Sequence, residues 1–169
     1  MKFTRPAWDA LIALRVKPSV LQHIEGIDGD PTSPGYEPLV KMLNDFVANG
    51  GRFRPGNSSY YTTQEKTIYI KGAYLNGSLS DYELVRSLAH EVFHAVSEMD
   101  PYPVSYQSAE RYSSAYIRDE AEAYYFATEV LHHLYADEFT DFDAQYWPDH
   151  QIESTTIAFQ QQLSAIVSS

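Results

Sequence analysis

Hydrophobic and polar positions alternate along this chain with two different periods, and the periods divide it into blocks. Residues 6–25 carry apolar positions in helical rhythm, interrupted near Pro18, and predict one or two short helices. Residues 26–35, rich in Gly, Asp and Pro, predict a loop; Asp28 and Asp30 are read there as turn formers in preference to calcium donors. Leu39, Met42, Leu43 and Phe46 recur at helical spacing over residues 37–49, and Gly50-Gly51 ends that helix.

The rhythm then changes. Residues 59–63 and 67–74 are rich in Tyr, Thr and Ile, with Gln64-Glu65-Lys66 between them, which predicts a β-hairpin. Ser80 and Glu83 fit a capping box, so a helix is expected from Ser80 to about residue 99, where Pro101 restricts the chain. A Tyr- and Ser-rich connection over residues 101–116 leads to a second long helix, about residues 117–136. A last helix is expected over 150–167. Helices, a small hairpin and more helices predict an α+β fold, and 169 residues suit a single domain spanning 1–169.

Composition narrows the chemistry. There is no cysteine, which removes disulfides, thiolate catalysis and cysteine-held metals. The net charge of −11 opposes nucleic acid as a partner. No apolar run reaches the ~20 residues that span a bilayer, so no membrane insertion is expected. The N-terminus lacks the apolar centre of a signal peptide, which leaves the cytoplasm or a non-classical export route.

The helix that begins at Ser80 contains His90-Glu91-Val92-Phe93-His94. Two histidines four residues apart project from one face, one turn apart, and their Nε2 atoms can reach a single zinc ion at ~2.0–2.1 Å. Glu91, ~100° round the helix, can reach a metal-bound water without ligating the metal. Leu84, Val85, Leu88, Ala89 and Val92 make the helix apolar and therefore buried, so its polar groups require partners. With six histidines in the chain, such a pentad arises by chance in roughly 1–2% of shuffled sequences.

A third ligand is expected from the next helix. Glu120 lies in line with Ala123, Ala127, Val130, Leu131 and Leu134, an apolar stripe whose small residues allow close approach to the His90 helix. Glu122 lies on a more polar row with Phe126, Glu129 and His133; it and Glu138 remain alternatives. Tyr112 and Tyr116 are the candidate oxyanion donors, with His132, His133 and His150 behind them. His23 reads as a helix-surface residue.

These segments resemble known enzymes. Ser87-Leu88-Ala89-His90-Glu91-Val92-Phe93-His94 and Glu120-Ala121-Glu122-Ala123-Tyr124-Tyr125-Phe126-Ala127 are similar to the two signature segments of ImmA/IrrE-type metallopeptidases. Those enzymes are zincins of the gluzincin kind, with a glutamate as third ligand. Tyr124 stands where that family usually has Asn, and Phe93 where it prefers Gly. The resemblance covers about residues 85–135. It implies a zincin-like fold, zinc as cofactor, Glu120 as third ligand, and a peptide or protein substrate. Small bacterial effector or toxin domains share the pentad, which implies an immunity or inhibitor protein as a further partner. The competing reading is a non-catalytic metal-binding interaction module.

In zincins the strand before the metal helix often lies along the cleft. By that analogy, Thr67-Ile68-Tyr69-Ile70 is expected to pair with extended substrate.

Overall fold

A computed structural model describes residues 1–77, 80–97 and 114–138; the side chains of 97 and 114–119 lie outside that description. The expected last helix over 150–167, the connection at 101–113, Tyr112 and His150 all fall outside the described residues.

Helix α1 (Arg5–Ala13) starts at Thr4, whose hydroxyl accepts from the Ala7 amide at 3.3 Å. Arg15 turns the chain with a left-handed φ of 82° before helix α2 (Pro18–Glu25). The expected break near Pro18 is therefore made by the four residues that precede it. Helix α3 (Glu37–Ala48) buries Leu39, Val40, Leu43 and Phe46, the predicted helical row with Val40 in place of the half-buried Met42. Gly50, at φ 89°, releases the chain from it.

Residues 26–35 fold back on themselves. The Ile27 amide donates to the Ser33 carbonyl and the Tyr36 amide to the Ile24 carbonyl, at 2.8 and 2.9 Å. A Cβ on Gly35 would lie 2.5 Å from the Glu25 carbonyl oxygen, so the close approach requires glycine. Asp30 accepts from both the amide and the hydroxyl of Thr32, which engages its carboxylate in a turn.

The sheet has three strands in the order β1-β3-β2: β1 (Arg52–Gly56), β2 (Tyr60–Thr62) and β3 (Thr67–Lys71). The predicted hairpin is present as the antiparallel pair β2–β3, with Tyr61 opposite Ile68. Strand β1, parallel to β3, was not expected, because Arg52-Phe53-Arg54-Pro55-Gly56 lacks the β-branched run that marks a strand. Its charges and proline suit an edge. The strand expected to reach residue 74 ends at Lys71. There the partner register runs out at Gly56, and a short helix α4 (Gly72–Leu75) takes over.

Two long helices complete the described fold, α5 (Asp81–Ser97) and α6 (Ser114–Leu134), followed by a 3-10 turn over Ala136–Glu138. Helix α6 begins three residues before its expected start. The backbone amides of Glu83 and Leu84 both donate to the Ser80 carbonyl, as expected where Ser80 starts the helix. The protein is α+β. Its core gathers the buried faces of α1–α3, Ile68 and Ile70 of β3, and Leu84, Val85, Leu88, Ala89 and Val92 of α5.

Helix α5 packs chiefly along α6, and both the sheet and α3 rest on it. Ala89 of α5 and Ala121, Ala123 and Ala127 of α6 are all buried, and these small residues suit closely approaching helices. Among the described residues no helix is long and apolar enough to cross a membrane.

Candidate metal centre

The helical repeat of α5 brings His90 and His94 onto one face, with their Nε2 atoms 3.1 Å apart and their rings at 78°. Helix α6 lays Glu120 against them. Its Oε1 atom is 2.5 Å from His94 Nε2 and 3.5 Å from His90 Nε2. Glu120 reaches this position because it shares a stripe with Ala123, Ala127 and Leu131, all buried. His94 is buried, and the His90 and Glu120 side chains are only slightly exposed.

Among the described residues this is the one group of three or more His, Cys, Asp or Glu able to hold a metal ion. Four ligands around zinc at ~2.0–2.1 Å lie ~3.3 Å from one another in a tetrahedron. The 3.1 and 3.5 Å separations match that edge, while the 2.5 Å contact would open on metal binding. The donor set, two imidazoles and one carboxylate, leaves a fourth position free.

Electrostatics reinforce the geometry. Burial pushes the Glu120 carboxyl up, but hydrogen bonds and charge from His90 and His94 outweigh it and hold the group well below the usual carboxylate range. Glu120 is therefore a carboxylate. Glu91 behaves in the opposite way. It is 8% exposed, and burial raises its carboxyl above the usual range against the lowering influence of both histidines. Its carboxylate also accepts a hydrogen bond from the Tyr61 backbone amide of β2. Two glutamates of one site are thus driven apart in proton affinity, an arrangement suited to one ligand and one proton carrier.

Around this group, the Tyr124 ring lies 4.4 Å from the His90 ring at 67°, one turn of α6 beyond Glu120. His90 Nδ1 is buried and without a hydrogen-bond partner among the described residues. Phe93, one residue before His94, stacks on Phe126 at 5.4 Å. Phe126 is buried, so the row it shares with Glu122 is less polar than its letters suggested.

Of the alternatives to Glu120, Glu122 is half-buried and Glu138 exposed, and neither belongs to the cluster. Tyr116 stands in the first turn of α6 with its side chain outside the described residues, and Tyr112 lies wholly outside them. His132 and His133 are exposed, and His133 stacks on Tyr36 at 4.8 Å.

His23 is not a plain surface residue. It is half-buried, with Nε2 2.7 Å from the Leu134 carbonyl and Nδ1 3.1 Å from the Ser33 hydroxyl. A carbonyl only accepts, so Nε2 carries the proton and its bond closes the last turn of α6. The one sequence signal was its place in the last turn of α2; the partners, distant in sequence, were not legible.

The described geometry is of the two-histidine, one-glutamate kind. No protein-family model, curated protein or solved structure matches this chain.

Proposed function

We propose that this protein is a zinc-dependent, gluzincin-like peptidase that hydrolyses a peptide bond in a peptide or protein substrate. The observation that carries the reading is the convergence of His90 Nε2, His94 Nε2 and Glu120 Oε1 on one point, with buried Glu91 within electrostatic reach of all three. The fold is read as zincin-like on the same ground: sheet, then pentad helix, then the helix that supplies the glutamate.

His90, His94 and Glu120 hold the metal. Zinc, when bound, supplies Lewis acidity that polarises a carbonyl and acidifies water. The rest falls to the chain. Glu91, raised by burial, accepts the proton of the attacking water on its carboxylate and passes it to the departing amine. The Tyr61 amide holds that carboxylate in place. Tyr124 packs on His90 and limits its ring rotation. Tyr116 and Tyr112 stay as the proposed oxyanion donors.

Among the described residues the sheet edges open to an extended peptide are those of β1 and β2. Strand β3 is paired on both sides, so the expected pairing of Thr67-Ile68-Tyr69-Ile70 with substrate is excluded by sheet order.

The test is cleavage of an unfolded protein substrate by zinc-loaded protein, read by mass spectrometry, beside Glu91→Gln. Zinc retained and cleavage lost in the variant supports the peptidase. Zinc bound tightly with equal product from both proteins, or from neither, leaves a non-catalytic metal-binding module.

A further inference from the structure

The outer face of the sheet carries charge of the wrong sign for this protein. Between Arg52 and Lys71 there are four cations and one carboxylate; the remainder of the chain has eight cations against twenty-two carboxylates. Strand alternation and register place Arg52, Arg54, Tyr60, Tyr69 and Lys71 on the face opposite buried Ile68 and Ile70. Arg54, Tyr69 and Tyr60 form one row across the three strands. The two tyrosine rings stack at 4.7 Å and 14°, and Tyr60 is 43% exposed.

In an acidic protein, surface cations normally find carboxylates. Five of the six other described cations do: Lys2, Arg5, Lys17, Lys41 and Arg86 all form ion pairs. Among the described residues Arg52, Arg54, Lys66 and Lys71 form none, and Arg15 is the single unpaired cation elsewhere. The one carboxylate beside them, Glu65, accepts from the Tyr69 hydroxyl at 2.7 Å. Exposed arginine beside rigid tyrosine is the composition of a binding surface.

We propose that this sheet face docks an acidic polypeptide segment of a partner protein, with Arg54 and Lys71 contacting its carboxylates and Tyr60 its apolar atoms. Arginine offers a carboxylate two parallel hydrogen bonds, and among the described residues no acid pairs with Arg52 or Arg54 to compete for them. A short acidic segment fits better than nucleic acid. A long polyanion would run off the patch onto a body that repels it, whereas a short segment ends within it. The proposal does not depend on the metal site, whose three ligands lie on α5 and α6.

Fluorescence anisotropy with a labelled Glu/Asp-rich peptide of about fifteen residues in ~50 mM salt tests it. Binding should weaken at least about tenfold when salt is raised to ~300 mM. It should weaken at least about fivefold in Arg54→Glu and by less than about twofold in Arg15→Glu, the same charge change away from the sheet. Both residues are exposed, and circular dichroism checks that each variant folds. Absence of salt-sensitive binding overturns the proposal, as does equal loss in the two variants. A single-stranded oligonucleotide of matched length that binds as tightly as the peptide would assign the face to nucleic acid instead. Self-association of the unmodified protein that Arg54→Glu abolishes would assign it to a second copy.

Discussion

Oε1 of Glu120 on α6 lies 2.5 Å from Nε2 of His94 on α5, and the same oxygen lies 3.5 Å from Nε2 of His90. Three acceptors that crowd together repel one another unless a proton or a cation lies between them. A proton held between His94 and Glu120 would relieve that repulsion, and a divalent ion would replace it. Metal uptake should therefore release protons.

Equilibration with zinc followed by elemental analysis should give about one equivalent per chain. A structural zinc site is worth ~10–16 kcal/mol over four ligands, roughly 3 kcal/mol each, or ~10²-fold in affinity. His90→Ala, His94→Ala and Glu120→Ala should each weaken zinc binding by about that factor, measured by competition with a chelating dye. Glu122→Ala should not. Equal losses in the two glutamate variants would place the third ligand elsewhere.

Glu91→Gln should keep zinc and lower turnover by ~10²–10⁴-fold, the range of a lost general base. It should also stabilise the metal-free fold at neutral pH. The Glu91 carboxyl is raised in the folded state by burial. A raised acid favours folding below its unfolded pKa, and that contribution is lost as pH rises through the folded value. The variant never ionises, so its advantage should appear above that value and vanish below about pH 4, where both side chains are neutral. A gain of ~1 kcal/mol would raise Tm by ~2–4 °C. Thermal melts of both proteins at pH 4 and pH 8, in chelator, measure it.

His23 joins α2, the 26–35 loop and the end of α6 through two hydrogen bonds. His23→Ala would leave the buried Ser33 hydroxyl and the Leu134 carbonyl without this partner. The expected loss is ~1–3 kcal/mol. Hydrogen exchange should accelerate in the last turn of α6 more than in α5. Uniform acceleration would contradict a local anchoring role.

Tyr36 should make the fold sensitive to alkali. Burial, then the charge of Glu129 and a hydrogen bond to it, push its phenol up to about 12. The stabilisation is complete below about pH 10, the unfolded value, and is lost as pH rises through about 12. The Tm difference between the wild type and Tyr36→Phe should therefore shrink from pH 9 to pH 12. A constant difference would show that the hydroxyl does not carry it.

The pentad His90 to His94, its place on a buried helix and the apolar row that favours Glu120 over Glu122 are properties of the chain alone. They are local, since helical geometry translates spacing into direction without help from the rest of the protein. The β2–β3 hairpin was legible for the same reason. Strand β1 was not, because a charged edge strand is made by the partner it pairs with and not by its own residues. The roles of His23 and Tyr61 were equally hidden: each rests on a hydrogen bond to a residue distant in the chain. Only the packing of α5 between α6 and the sheet decided which glutamate meets the histidines and which stays proton-avid, because burial and neighbouring charge belong to the assembled fold.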